Sequence, residues 1–160
     1  PCAANSVTPV ERTLLIQRYA EGYDALVAAL AEAEDVMEVA PPGEWTPRQI
    51  AHHVADAAVI QSARLRILLA EDDPYIPGFD ELGFADRLQY DRSIVSSLVL
   101  LHAMQDANLE LLDGLSEDDW LRAGRHEEYG HFSVEDWLER AADHPHDHAA
   151  QIQALLNDHG

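Results

Sequence analysis

The chain has 160 residues, 47% of them hydrophobic, and a formal charge of −20 from 10 basic and 30 acidic side chains. Length and composition fit one globular domain over residues 1–160 with a core of its own. The acidic balance opposes phosphate backbones and anionic membranes, so neither nucleic acid nor a membrane surface is an expected partner.

The chain opens on "PCAANSVTPVERTLL", which lacks the basic segment and apolar stretch of a signal peptide. No apolar run reaches the ~18 residues needed to cross a bilayer, and the expected location is the cytoplasm. The one cysteine, Cys2, can make neither an internal disulfide nor a thiolate metal cage; a catalytic thiol is the chemistry left to it. A first helix is predicted from about Thr8 to Val39. Thr8, Pro9 and Glu11 give a cap, a first-turn proline and a capping-box acid. Leu15, Tyr19, Tyr23, Leu26, Leu30 and Val36 (or Met37) form its apolar stripe, weakened but not ended at Gly22. "APPGEW" stops it.

A second helix is predicted from about Pro47 to Glu71. Thr46 caps it, Gln49 completes the capping box, and Trp45 and Ile50 hold the staple positions. The twelve residues "DDPYIPGFDELG" that follow read as irregular. At ~3.3 Å per residue they reach roughly 40 Å. Helix two is roughly 37 Å long at ~1.5 Å per residue. The linker can therefore run back along the bundle and set helices two and three pointing the same way. Helix three is predicted from about Ala85 to Asp113, with a stripe of Ile94, Leu98, Leu101, Met104 (or Gln105), Leu109 and Leu112. After a short turn at "SEDDW", helix four begins past Ser133 and continues to about Leu156. Phe132 and Trp137 staple its start, and Ser133 with Asp136 resembles a capping box. Strand-like alternation is nearly absent. The predicted fold is all-α: a four-helix bundle with a long crossover between helices two and three.

Chemistry concentrates in "DHPHDHAAQI". His144 and His148 are four apart and share a helix face with Trp137, Ala141, Ile152 and Leu155, so they should look inward; His146 falls on a more polar face with Asp143 and Glu139 and should look out. On helix two His53 lies on the inward stripe of Ile50, Ala57, Ile60, Arg64 and Leu68, with His52 about 100° away. Imidazoles in an apolar seam need partners for their ring nitrogens. Three of them from two helices satisfy one another through a shared cation and leave a coordination position open; hydrogen-bonded core histidines are the alternative. The site is not of the HExxH type, because Pro145 stands where the glutamate would be, and the Glu-x-x-His pairs of di-iron bundles are missing. Asp56, one turn from His53, and Asp147, beside His148, are candidates to orient an imidazole. Arg64 could draw an anionic substrate inward. His126 and His131 flank a Tyr-Gly turn that could border a pocket mouth; His102 and His159 carry no role.

"WTPRQIAHHVADA", "DDPYIPGFDE" and "HEEYGHFSVEDWLERAADHPHDHAAQI" occur in that order, and together they resemble the DinB/YfiT-like superfamily of metal-binding four-helix bundles from about residue 10 to 157. The resemblance places the family's histidines on His53, His144 and His148 and its trailing glutamine on Gln151. It implies a divalent ion, zinc or nickel, and a homodimer. It implies a small-molecule substrate too, acted on by a metal-dependent hydrolase or by an S-transferase using a low-molecular-weight thiol. The nucleophile would then be metal-bound water or that thiol. A non-catalytic bundle that binds metal or a small ligand is the second reading, and a structural bundle the third. Pro145 predicts a kink or restart of helix four at His144.

Overall fold

The computed structural model describes residues 7–159 of the chain; Cys2 and the side chain of His159 lie outside the described part. Helix α1 spans Pro9–Glu32, α2 Pro47–Ala70, α3 Glu81–Arg87, α4 Val95–Asp113, α5 Glu117–Trp120 and α6 Val134–His159. Strands β1 (Tyr75–Ile76), β2 (Ala123–His126) and β3 (Gly130–Ser133) make a small sheet in that spatial order. No helix among the described residues is long and apolar enough to cross a membrane.

The helix starts form as their sequences dictate. Thr8 accepts from the Glu11 amide and Glu11 reaches back to Thr8; Thr46 and Gln49 do the same for α2. At α6, the Ser133 amide donates to Asp136 (2.7 Å) and the Asp136 amide to the Ser133 hydroxyl (3.1 Å). Each pair satisfies donors that the first helical turn leaves unbonded.

Helix directions follow from paired contacts. His52 meets Ser97, and ten residues on Ser62 meets Asn108, both at 2.8 Å, so α2 and α4 run parallel. Arg12 pairs with Glu135 at 2.7 Å and Gly22 packs on Pro145, so α1 and α6 are parallel too. On α2 and α6 the order reverses: His53 faces His144, while the Trp137 indole donates to the Gln61 carbonyl at 2.8 Å. The bundle is up-down-down-up, and the segment between α2 and α4 is its crossover.

Three predicted features differ. Helix α1 stops at Glu32 instead of Val39; a 3-10 turn at Glu34–Val36 follows. That turn leaves the Met37 carbonyl to accept from the Arg48 amide (3.2 Å), and Val36 and Met37 pack beside Trp45. The predicted helix from Ala85 is broken at residues 88–94. Gln89 adopts a left-handed φ of 55°, and Tyr90 is buried. Nothing in "LQYDRSI" signals that stop. Contacts from α2 fix it: the Arg92 carbonyl receives both Arg48 and His52. Third, the crossover is partly β. Ile76 pairs with His126 in parallel, and β2 and β3 form a hairpin. Strands of two and four residues are too short to show alternation. Gly124 is required where β2 crosses the crossover, because a Cβ there would lie 2.4 Å from the Pro74 carbonyl oxygen.

Two apolar clusters fill the bundle. One centres on Leu65, Leu68, Phe132, Trp137 and Leu138, the other on Leu26, Ile50, Val54, Leu101 and Ile152. Gln105, rather than Met104, is buried on α4, and its amide donates to the Ala20 carbonyl at 2.9 Å. On α6 the first cluster ends at Ala142 and the second begins at Ala149. The histidines of α6 occupy the gap.

Candidate metal centre

His53 projects from α2 into the seam with α6 and is 2% exposed. His144 and His148, on successive turns of α6, are half-buried. The Nε2 atoms of His53 and His144 stand 3.1 Å apart. The ring centres of His148 lie 4.8 Å from His53 and 4.7 Å from His144. One ring nitrogen from each of the three falls within 4.8 Å of the others. Zinc–nitrogen bonds of ~2.0–2.1 Å in a tetrahedral arrangement would set the nitrogens roughly 3.3 Å apart, close to the separation of His53 and His144.

The donor chemistry fits a cation. His148 Nδ1–H donates to Gln151 Oε1 at 2.9 Å, which leaves Nε2 with its lone pair free. The Trp45 ring lies 4.5 Å from His53 and shields it. Burial, then the proximity of His144 and His148, pushes the His53 pKa down to about 3. Burial, then His148, lowers His144 to about 4. Burial also lowers His148. All three are therefore neutral imidazoles at pH 7, the form that binds metal.

α6 runs through Pro145 without the restart expected there as the alternative to a kink. Its ring is buried against Gly22 of α1, where an added Cβ would come within 2.5 Å of Pro145 Cγ. The glycine read as a weak point of α1 is the contact surface for the proline. His146 does not face open solvent: its Nε2–H donates to the Arg18 carbonyl of α1 at 2.9 Å. Two neighbours of His144 are thus held by α1 while His144 and His148 turn toward α2.

The remaining candidates separate. Asp56 is turned away from His53 and accepts from the Tyr90 hydroxyl at 2.8 Å. Asp147 is exposed on the wall of a cleft of about 330 Å³, which His144 also lines. Arg64 lines the same cleft, with Phe79, Phe132 and Arg140. Arg140 lies over the Tyr129 ring at 3.6 Å. Among the hairpin histidines, His131 is exposed and His126 is buried against Tyr129 and Phe132. His102 is exposed beside Tyr23. Sequence reasoning passed over Gln61, whose buried Oε1 has no partner and which lines the cleft between Ala57 and Arg64. Its spacing from His53, two helical turns, was the available signal.

The model of the DinB superfamily matches residues 12–152. The chain belongs to the DinB superfamily. A relative from Oceanobacillus iheyensis named "Putative metal-dependent hydrolase" is 34% identical over 113 residues, or 71% of this chain. The match spans 66% of that relative's length, just under two thirds. A relative of the same name from Halalkalibacterium halodurans is 27% identical over 132 residues, covering 82% of this chain and 77% of its own. Among solved structures, YfiT from Bacillus subtilis, described as "a probable metal-dependent hydrolase with an unusual four-helix bundle topology", superposes with a TM-score of 0.90 at 25% identity. The likeness covers 100% of this chain and 94% of YfiT, so the DinB superfamily fold extends to the crossover and its hairpin. A three-histidine cluster in a family whose members carry such names points to a divalent metal.

Proposed function

We propose that this chain is a metal-dependent enzyme acting on a small molecule, with a divalent ion held by His53, His144 and His148. One observation carries the reading. Three neutral imidazoles from two helices converge beside an open cleft that His144 lines, and among the described residues Gln151 alone bonds the far side of one of them. The chemistry such an ion supplies is Lewis acidity, which makes a nucleophile of water or a thiol near neutral pH. Imidazole donors suit zinc and nickel.

The chain's own groups do the rest. Gln151 fixes the His148 tautomer and ring plane. Gln61 Oε1 offers a substrate an acceptor inside the cleft, and Phe79 and Phe132 give it an apolar wall. Hydrolysis is favoured by the names of the relatives. Thiol transfer is the second form of the same reading; the thiol then comes from a low-molecular-weight cosubstrate, since the sequence has one cysteine, Cys2, far from the ligands in sequence. A bundle that holds metal without turnover is the alternative. The setting we infer is a homodimer in the cytoplasm, checked by light scattering on the eluted protein and by cell fractionation.

Elemental analysis of freshly purified, untagged protein tests the centre. Stoichiometric zinc or nickel is expected, lost in His148→Ala with helical circular dichroism retained. A metal-free wild type, or an unchanged variant, would remove the site. Turnover of an electrophilic ester without added thiol supports hydrolysis, and turnover only with thiol supports transfer. None under either condition leaves the binding module.

A further inference from the structure

Two arginines are buried in this acidic protein: Arg12, 8% exposed, and Arg64, 6% exposed. Arg12 has its counter-charges, Glu135 at 2.7 Å and Glu117 at 2.9 Å, although its Nε–H, like that of Arg64, is buried with no acceptor. Arg64 makes no ion pair among the described residues. One Nη donates to the Pro77 carbonyl at 2.6 Å, the Nε–H is buried with no acceptor, and the Phe79 ring lies 5.7 Å away. A buried cation without a counter-charge is unfavourable. Glu81 and Glu128 border the same cleft and act on Arg64 through their charge, but neither reaches the guanidinium as an ion pair.

The guanidinium lines the cleft that His144 also lines. Arg64 and His53 are separated by roughly 16 Å along α2, at ~1.5 Å of rise per residue. Phe79 and Phe132 lie along the cleft wall. Glu81, Glu128, Asp143 and Asp147 also border the cleft, so its field does not favour anions at a distance. Recognition has to come from direct contact, and a planar guanidinium matches a carboxylate best.

We propose that the small molecule taken by this cleft carries a carboxylate, which Arg64 holds while an apolar body lies along Phe79 and Phe132 toward the imidazole cluster. This rests on the cluster being the reaction centre. Arg64 is a specificity residue in this scheme, and an acid and its uncharged amide should be told apart.

The test compares 3-phenylpropanoate with 3-phenylpropanamide, titrated into the protein as purified and followed by amide chemical shifts. The acid should bind about tenfold or more tightly than the amide, with shifts at Phe79, Gln61 and Phe132. Arg64→Gln should lose that preference, and Arg64→Lys should keep part of it. His148→Ala, which disables the proposed metal centre, should keep it. The reverse pattern, preference surviving Arg64→Gln but lost in His148→Ala, would put the carboxylate on a metal and overturn the proposal. So would equal affinity of the wild type for acid and amide, absence of binding by either, or tighter binding of the matched phosphonate. If Arg64→Gln fails to fold, the wild-type comparison, the shift map and His148→Ala still decide. Stoichiometric metal without carboxylate preference refutes this inference alone, and preference without metal refutes the metal centre alone.

Discussion

His52 and His53 are neighbours on α2, both buried, and they face two different environments. His52 looks toward α4 and is saturated: Nδ1 meets the Ser97 hydroxyl at 2.8 Å, Nε2 the Arg92 carbonyl at 3.0 Å, and Tyr90 stacks on the ring at 5.3 Å. His53 looks toward α6 and meets two other imidazoles and the Trp45 ring. Burial lowers the pKa of both. The difference lies in what the nitrogens find. A ring with both nitrogens bonded to protein holds the fold together and has no capacity for a ligand. Rings that turn a nitrogen toward one another, as Nε2 of His53 and His144 do, keep lone pairs that a cation can use.

Substitution should separate these roles, and the largest effect is expected at the unsaturated side. His53→Ala should reduce bound metal from stoichiometric to background while circular dichroism stays helical; metal retained at wild-type levels would erase the distinction. His52→Ala should do the opposite. Metal stays, but Ser97 and the Arg92 carbonyl lose a buried partner. Unfolding in urea should show a loss of about 2–4 kcal/mol.

A third variant tests whether α1 maintains the ligand spacing. Gly22→Ala gains about 1 kcal/mol in helix propensity but drives a methyl into the Pro145 ring, an overpacking of about 1–3 kcal/mol. The net expectation is lower stability together with weaker metal retention, both relieved in the Gly22→Ala/Pro145→Ala double variant. Equal effects in the two backgrounds would show that the ring contact is not what positions His144.

His126 stands between the two cases. Its Nδ1 accepts from the Glu128 amide at 3.1 Å, and its buried Nε2 has no partner. Burial foremost, then the charge of Arg64, holds its pKa below the usual 6.5. The unfolded chain takes up this proton near pH 6.5 and the folded chain only at lower pH, so acidification destabilises the fold. The stability His126 contributes is complete above pH 6.5 and is lost as pH falls toward its folded pKa. His126→Phe should flatten the urea stability profile below pH 6.5 by up to about 1.4 kcal/mol per pH unit. A profile parallel to the wild type would show that His126 already has an acceptor.

Much of this architecture was legible because it is local. Capping boxes at Thr8 and Thr46 and the staple of Phe132 with Trp137 are short-range patterns, and each begins a helix where the pattern places it. The spacing of His144 and His148 put both on one face, and His53 lay on the inward stripe of α2. Linker length allowed the crossover. Asp56 illustrates the limit: one turn from His53 in sequence, it was a candidate partner for that ring, yet it bonds Tyr90 from the segment that breaks the predicted third helix. The second helical face of α2, carrying His52, had no distinguishing mark either, since a core histidine and a ligand look alike until their partners are known.

By itself, the sequence determined where α1, α2 and α6 begin, their apolar faces and the helix face that each of three imidazoles shares, because these depend on periodicity and on groups within one turn of each other. Tertiary structure alone decided how those faces meet. It set Gly22 against Pro145 on a continuous α6, added a sheet too short to show a pattern, and left Arg64 buried without an ion pair among the described residues. Each of these depends on residues far apart in the chain, whose approach is governed by packing and desolvation rather than by local spacing.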